Sequence, residues 1–334
     1  MLDSRNRPTI NQFYHFSIPS LPYFLRSDIL QLLLCILSLQ GLTVEINSAL
    51  DVCDSKSISS NIFACDKIVN SDKKTKLIRL AESVLDDSIY CCGIKDIVRR
   101  VGLTRENVLG AYVDYNLDIC AYGNEIYRSL DMRIVMHLLN LLSGSWHQEA
   151  QKTVLKFVKQ AHPTTIADIG FGVPALYINE ALKSGSYKIT LFDLYESAFI
   201  FGKLLLKQWK SSWFEKVFLK KTNMENQEFI GNFDLYLFLD VIEHVSNPTL
   251  FLKKHVQLSP LGAKFLFSLP IGPLIPSHYM AWESVCAANE WLVACGLNPQ
   301  ISKLIYTNPD VDLFAEVGGC KFQFMIALCD KIGT

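Results

Sequence analysis

TIADIGFGVP, from Thr165 to Pro174, is the stretch of sequence that decides the fold. It continues a β-branched and apolar run that starts at Thr164 and predicts a buried strand ending at Ile169. Gly170 and Gly172 then allow the backbone to turn sharply and to approach a ligand closely. Pro174 suits the first turn of a helix, because an N–H there has no intrahelical partner. Strand, glycine turn and helix in this order predict the opening of a doubly wound α/β fold.

The glycine turn suits two kinds of ligand. Residues 170–175 also fit the G-x-G-x-x-A fingerprint of dinucleotide sites, and Asp193 follows roughly twenty residues on, where a ribose-binding acid is expected. A dinucleotide places its pyrophosphate on free N–H groups at the helix start, and Pro174 lacks one. Asp168 would repel a pyrophosphate but suits the sulfonium and ammonium groups of S-adenosylmethionine (SAM). SAM is therefore the expected cofactor, and a nicotinamide dinucleotide is the minor alternative.

Composition limits the classes of partner. The 334 residues are 50% hydrophobic with a formal net charge of −1, so a large core is possible, and neither a polyanion nor an anionic membrane surface is indicated as main partner. The ten cysteines show no C-x-x-C pair or other metal-ligand spacing, which predicts buried thiols, a reducing cytoplasm and no bound metal. No signal peptide is expected, and the apolar segment Ile29–Leu42 is too short to span a bilayer.

The first 145 residues show only helical periodicity. Helices are expected over residues 28–41, 73–85 and 127–142, with a further helix over 146–160 that leads into the first strand. We therefore expect a helical N-terminal domain over residues 1–145, which dimerises or covers a substrate site. A cofactor-binding domain is expected over residues 146–334.

Residues 94–112 predict a helix, a tight turn at Gly102 and a second helix capped by Thr104. This order is that of a helix-turn-helix, which can place its second helix in a DNA groove. Here the second helix offers base edges little beyond Arg105, Glu106 and Asn107. A role in dimerisation is the expectation, and nucleic acid is not an expected partner.

Strands and helices alternate after the glycine turn. Strands are expected over residues 187–193, 217–219, 233–240 and 263–269, with helices over 247–258 and 282–294. Residues 311–317 and 321–329, joined by Gly318-Gly319, predict a closing antiparallel hairpin. The predicted fold class is therefore α/β: a Rossmann-like, mostly parallel, doubly wound sheet with an antiparallel last hairpin, preceded by the helical domain.

Three motifs in this order resemble those of the class I SAM-dependent methyltransferases: Asp168-x-Gly170-x-Gly172, the acid Asp193, and DVIEHV from Asp240 to Val245. DVIEHV is similar to the run found in the quinone-biosynthesis and small-molecule group of these enzymes. The resemblance covers about residues 150–330. It departs from the family at Val173-Pro174, where many relatives have a third glycine. It implies transfer of a methyl group from SAM to an oxygen or nitrogen of a small acceptor.

Seven residues are expected to bind the cofactor: Asp168, Gly170, Gly172, Asp193, Asn223, Met224 and Asp240. The two glycines admit the methionine part of SAM, and Asp168 holds its ammonium group. Asp193 accepts hydrogen bonds from the ribose. The resemblance implies that Asn223 and Met224 contact the adenine.

Three residues are expected to be catalytic: Glu243, His244 and His278. His244 would take a proton from the acceptor, with Glu243 orienting its ring, and His278 is a second candidate base. A purely structural role for the Glu-His pair stays open. Tyr279 and Trp282 are expected to supply an aromatic wall for an apolar or aromatic acceptor.

Two functions outside catalysis also stay open. One is a DNA-binding regulator that senses SAM through the helix-turn-helix, and the other is a non-enzymatic scaffold within a biosynthetic complex. The expected location is the cytoplasm. The expected partner is a small-molecule acceptor, and no membrane partner is expected. The expected assembly is a homodimer formed through the helical domain.

Overall fold

The computed structural model describes the chain in several ranges. These are residues 71–86, 91–118, 145–172, 187–209, 216–222, 230–274, 278–307 and 323–332, with residues 135, 139, 142, 177–178, 183, 316–317 and 320–321. They belong to one compact unit, which spans residues 56–334. The helix expected over residues 28–41 and the expected adenine contacts Asn223 and Met224 lie outside the described residues.

The helices are labelled here in chain order. They are α1 (Ser71–Asp86), α2 (Cys91–Arg100), α3 (Arg105–Asp118), α4 (Ser145–Ala161), α5 (Glu196–Trp209), α6 (Pro248–Leu258) and α7 (Val285–Ala294), with a 3-10 turn at Ile242–His244. Residues 135, 139, 142, 177, 178 and 183 are helical as well.

The strands are labelled in the same way. They are β1 (Thr165–Ile169), β2 (Lys188–Asp193), β3 (Val217–Lys221), β4 (Leu235–Leu239), β5 (Lys264–Ile271), β6 (Leu297–Tyr306), β7 (Glu316–Val317), β8 (Cys320–Lys321) and β9 (Gln323–Lys331).

The sheet has the order β3-β2-β1-β4-β5-β9-β6. Strands β1 to β5 pair in parallel, and β9 pairs antiparallel with both β5 and β6. The chain therefore builds one half of the sheet outward from β1 and then returns to its other side with β4. Ligands of open α/β sheets bind at such a switch point, beyond the carboxyl ends of the strands. The predicted fold class of the sheet is confirmed.

Register places the predicted motifs at one edge of this sheet. Ile169 at the end of β1 lies opposite Phe192 on β2 and Phe238 on β4. The glycine turn, Asp193 and Asp240 each follow these positions by one or two residues. Parallel strands thus bring motifs that are distant in the sequence to the same end of the sheet.

The core lies on both faces of the sheet. Alternate residues of β4 belong to different hydrophobic clusters, with Leu235 and Leu237 on one face and Tyr236 and Phe238 on the other. Buried residues of α6 and α7 pack on the second face. Buried residues of α1 to α4 share the first cluster with β1. The described front helices therefore pack into the core of this unit, and the domain boundary near residue 145 stays a prediction.

The expected helix, tight turn and second helix are present. Gly102 has a φ of 72°, and Thr104 caps α3 by accepting a hydrogen bond from the Asn107 N–H at 3.2 Å. Arg105 donates two hydrogen bonds to Asp86 on α1, at 2.7 and 2.9 Å. Asn107 in turn accepts from Thr104. Two of the three side chains named for DNA contact are thus held by protein partners.

Two expectations near the C-terminus are met only in part. The closing hairpin is antiparallel as expected, with Glu316–Val317 paired to Cys320–Lys321, but the last strand β9 pairs with β5 and with β6, a strand that was not expected. Strand β6 was missed because it is an edge strand with mostly exposed side chains and a register shift between Pro299 and Ile301. Helix α7 begins at Val285, after Ser284 caps it, because Trp282 pairs with Ile271 as a β-bridge instead. No helix among the described residues is long and apolar enough to cross a membrane.

Candidate functional site

The glycine turn has the predicted backbone geometry. Gly170 and Gly172 have φ values of 68° and 49°, in the left-handed region that favours glycine. The Gly170 N–H donates to the Phe192 carbonyl at 2.8 Å, which ties the turn to β2. A Cβ placed on Gly172 would meet no atom within 4 Å. The turn therefore has open space on the side where a ligand would lie.

Asp193 is joined to this turn by its carboxylate. Its Oδ2 accepts from the Gly172 N–H at 3.0 Å, and its Oδ1 accepts from the N–H groups of Leu194 and Tyr195 at 2.7 and 2.9 Å. The side chain is 4% exposed. Burial raises the pKa of Asp193, although the three N–H bonds oppose the shift. Three of about four acceptor positions of the carboxylate are used, so a further donor can still bind.

Asp168 lies behind the turn and has a partner that the sequence did not reveal. The Tyr177 hydroxyl donates to its Oδ2 at 2.6 Å, and both side chains are buried. Burial raises the pKa of Asp168 to about 7, the Tyr177 hydrogen bond opposes this, and the Asp193 charge adds to it. The available signal was a tyrosine in an apolar helical run, since a buried tyrosine hydroxyl requires a partner.

The chain leaves β4 through a sharp turn. Asp240 has a φ of 57°, which is uncommon outside glycine and costs of order 1 kcal/mol. The 3-10 helix then covers Ile242–His244, so helical structure starts two residues after Asp240. Glu243 is fully buried and His244 is half-buried.

The structure brings the three expected catalytic side chains together. Ligand-type atoms of Glu243, His244 and His278 all lie within 4.8 Å of one another. The rings of His244 and His278 are perpendicular, with centroids 4.7 Å apart. The Tyr279 N–H donates to the Glu243 carbonyl at 2.7 Å, which holds the loop after β5 against the 3-10 helix.

Burial controls the protonation of this cluster. It raises the pKa of Glu243 well above its usual range, and the Asp240 charge raises it further. It lowers the pKa of His278 to about 3, with the neighbouring His244 adding to the shift and Asp240 opposing it. His278 is therefore neutral at pH 7 and is a weak base. The Asp240 carboxyl is a hydrogen-bond neighbour of the Glu243 carboxyl. No hydrogen bond joins the Glu243 carboxyl to His244 among the described residues, so the expected orienting bond is absent there.

These three residues are also the kind that could hold a divalent metal ion. Imidazole nitrogen and carboxylate oxygen are ordinary ligands of zinc and related ions. The sequence-based prediction of no bound metal rested on the cysteine spacing. That spacing says nothing about Glu243, His244 and His278, which include no cysteine and come from the 3-10 helix and from the loop after β5.

The two aromatic residues expected at the acceptor differ in environment. Tyr279 is 44% exposed, so its ring is available to a ligand. Trp282 is 4% exposed and packs against Trp291, with ring centroids 4.9 Å apart. Trp282 therefore supports the loop from within the core.

His147 also lies near this end of the sheet, although the sequence did not single it out. Burial lowers its pKa to about 4, and the Asp240 charge opposes the shift. The charge of Asp240 also raises the pKa of Glu243 and of His278. His147, Glu243 and His278 therefore all lie near Asp240, at the end of β4. Gln151, one turn along α4, lies 3.4 Å from the His147 ring.

Comparison with known proteins gave no match to a family model and none to a curated protein sequence. Among solved structures, the chain is similar to the magnesium protoporphyrin IX methyltransferase ChlM from Synechocystis PCC 6803 with bound SAH. The identity is 12% and the TM-score 0.43, over 66% of this chain and 97% of that one.

Two further solved structures are similar at the same level. An O-methyltransferase family protein from Burkholderia thailandensis is 13% identical, with a TM-score of 0.46 over 71% of this chain and 76% of that one. The [4+2]-cyclase SpnF is 12% identical, with a TM-score of 0.45 over 57% and 83%.

Proposed function

We propose that this protein is a SAM-dependent methyltransferase that acts on an oxygen or nitrogen of a small molecule. The observation that carries the proposal is the pair of buried carboxylates, Asp168 and Asp193, that border an open glycine turn at the switch point of the sheet. When bound, SAM supplies an electrophilic methyl group on a positively charged sulfur. A site lined with buried negative charge favours such a ligand.

The sign of the ligand charge separates SAM from a dinucleotide. Two unit charges about 4 Å apart interact by about 4 kcal/mol at an effective dielectric constant of 20. This contribution favours the ammonium and sulfonium groups of SAM and disfavours a pyrophosphate. In the proposed site, Asp168 attracts the ammonium group, Asp193 accepts from the ribose, and the backbone of Gly170 and Gly172 admits the methionine part. Asn223, Met224 and Asp240 stay predicted contacts.

For the acceptor side we propose Glu243, His244 and His278 as the catalytic residues. They lie together beyond the carboxyl end of β4, where an acceptor would meet the cofactor. His244 is the proposed base that takes the acceptor's proton, and His278, whose low pKa makes it the weaker base, is the second candidate beside it. Most of the rate enhancement would come from holding the nucleophile in line with the methyl group. The exposed ring of Tyr279 favours an apolar or aromatic acceptor.

Methyl transfer itself is tested by incubating the full chain with methyl-labelled SAM and a panel of small phenols, alcohols and amines. The proposal expects label in at least one acceptor, and strongly reduced transfer in His244→Ala and His278→Ala. Full turnover in both variants would remove the catalytic role of the histidines. Label in no acceptor, despite SAM binding, would favour the non-enzymatic scaffold.

The assembly belongs to the proposal as well. We expect a homodimer formed through residues 1–145 and a cytoplasmic location, both on the basis of the sequence. Light scattering on the purified full chain measures the mass directly, and a monomer at micromolar concentration would contradict the dimer.

A further inference from the structure

The first turns of α4 carry two polar residues on the side of the helix that faces the sheet. His147 and Gln151 are four residues apart, and the same stripe continues along the helix to Val154 and Val158, which belong to the first hydrophobic cluster. Gln151 is 6% exposed. A buried amide in such a position requires hydrogen-bond partners.

The partners of Gln151 are only partly present. Its amide nitrogen lies 3.4 Å from the His147 Nε2, and because an amide N–H can only donate, the ring nitrogen accepts. The Gln151 Oε1 is buried and has no hydrogen-bond partner among the described residues. Leaving a buried carbonyl oxygen unpaired is unfavourable. The arrangement therefore favours a ligand group that donates a hydrogen bond to this oxygen.

A second unpaired polar atom lies on the same face of the sheet. The Ser268 Oγ on β5 is buried and has no partner in the part of the chain that the structure describes. Ser268 lies opposite Leu239, the last residue of β4. Alternation along β5 places it on the same side as Leu266, a member of the first cluster. Helix α4 packs against β5 and β9 on this side, so Ser268 faces the layer between the helix and the sheet.

These polar groups lie beside the proposed site of methyl transfer. The charge of Asp240 raises the pKa of His147 and of His278, so both rings lie near the end of β4. The cofactor is the less suitable partner for Gln151, because an unpaired carbonyl oxygen repels the carboxylate of the methionine part, and Asp168 is the proposed partner of the ammonium group. The methyl acceptor is the ligand that fits.

We propose that His147, Gln151 and Ser268 form a polar subsite that binds a second hydroxyl group of the methyl acceptor. This inference rests on the proposed function and narrows the acceptor to molecules with two polar groups, such as dihydroxylated aromatic compounds. The ligand hydroxyl donates to the Gln151 Oε1 and accepts from the Ser268 hydroxyl, which satisfies both unpaired atoms together. His147 is a positioning residue, because it holds the Gln151 amide in the orientation that presents its oxygen.

Binding of simple phenols to the full chain saturated with S-adenosylhomocysteine tests the subsite without turnover. Calorimetry compares phenol with the three diols catechol, resorcinol and hydroquinone. We expect at least one diol to bind about tenfold more tightly than phenol. Gln151→Met should remove this preference, and Ser268→Ala, a smaller change, should reduce it about threefold. Gln160→Met is the matched control, because Gln160 is exposed on the same helix, and it should keep the preference.

The possible failures are distinguishable. Equal affinity of the parent for phenol and all three diols, or an unchanged preference in both Gln151→Met and Ser268→Ala, would overturn the subsite. Weaker binding of S-adenosylhomocysteine to Gln151→Met would assign the polar pair to the cofactor and would also overturn it. If methyl transfer to a phenol then still proceeded, the proposed function would stand without the subsite. If the diols bound as expected but no label from SAM reached them, the subsite would stand and the proposed transfer would fail.

Discussion

The Tyr177 hydroxyl donates a 2.6 Å hydrogen bond to the carboxylate of Asp168, and both side chains are buried directly behind the glycine turn. This pair fixes the acid that is expected to meet the cofactor's ammonium group. Because burial raises the pKa of Asp168 to about 7, we expect cofactor binding to depend on pH near neutrality.

The first prediction concerns the pH dependence of SAM binding. A cationic ligand such as SAM binds better when Asp168 is ionised. Below pH 7 the carboxyl of Asp168 is mostly protonated, so SAM binding must first remove this proton. SAM should therefore bind about tenfold more weakly at pH 6 than at pH 8. Isothermal titration calorimetry at both values measures this. Asp168→Asn should bind weakly at both values with little pH dependence, and an unchanged slope in this variant would assign the proton to another group.

The same shift predicts how the stability of the free protein changes with pH. The pKa of Asp168 is raised on folding, so the folded state favours its protonated form. Asp168 therefore lowers the free energy of unfolding by an amount that grows as the pH rises from about 4 to about 7. This destabilisation is absent at lower pH and constant at higher pH. Asp168→Asn should therefore raise the melting temperature at pH 8 more than at pH 5. A melting temperature that falls equally at both values would contradict this.

Removing the Tyr177 hydroxyl should leave Asp168 without its buried donor. We expect Tyr177→Phe to lower the free energy of unfolding by about 1–3 kcal/mol and to weaken SAM binding. Urea unfolding and calorimetry measure the two effects. The matched control is Tyr306→Phe, because Tyr306 is 65% exposed on the edge strand β6. Equal effects of the two substitutions would show that the hydroxyl of Tyr177 has no special role.

Asp234 should support the sheet and not the site. Its Oδ2 accepts from the N–H groups of Thr164 and Thr165 at 2.8 and 2.9 Å and from the Thr164 hydroxyl, which joins the starts of β1 and β4. Asp234→Ala should cost about 1–3 kcal/mol of unfolding free energy at pH 7 and leave the dissociation constant of SAM unchanged.

The pH dependence of this variant gives a second check. The hydrogen bonds lower the pKa of Asp234, so its stabilisation is complete above about pH 4 and is lost as the pH falls through the lowered value. The difference between Asp234→Ala and the parent should therefore shrink in strongly acidic urea titrations. A constant difference would contradict the assignment.

The helix-turn-helix should not bind DNA. Arg105 is held by Asp86, and Asn107 by Thr104, so the start of α3 presents few free groups to base edges. An electrophoretic mobility assay with random duplexes at low salt should show no shifted band. A shift that disappears as salt is added would indicate phosphate contacts and would revive the regulator hypothesis.

The sequence predicted most of the parallel half of the sheet because β1, β2, β4 and β5 are short apolar runs that are closed by glycine or aspartate. It also predicted that Asp193 and the glycine turn lie at the same edge of the sheet, since parallel strands place their ends together, but it did not predict the hydrogen bond from the Gly172 N–H to Asp193. Strand β6 was not predicted because it lies at the edge of the sheet and most of its side chains are exposed. Its sequence therefore shows no alternation of apolar and polar residues. The hydrogen bond from the Tyr177 hydroxyl to Asp168 could not be predicted. It depends on how Tyr177 packs against β1, and the local sequence does not specify this packing.

Within the candidate site, the sequence placed Glu243 and His244 after a strand and His278 in the loop after the next one. Their proximity follows from the parallel pairing of β4 and β5. The complete burial of Glu243 could not be predicted, because it depends on how the 3-10 helix packs against the loop after β5. His147 was missed because its helix reaches the end of β4 only through the packing of α4 on the sheet.

Calorimetric titration of S-adenosylhomocysteine into the parent chain and into Asp193→Ala tests the central claim most directly. The claim is that the buried acid at the end of β2 holds the ribose of an adenosyl cofactor beside the glycine turn. It predicts one binding site in the parent and at least about thirtyfold weaker binding in the variant, as expected for loss of charged hydrogen bonds worth about 2 kcal/mol or more. Equal affinity in the two proteins, or no binding to the parent at all, would contradict it.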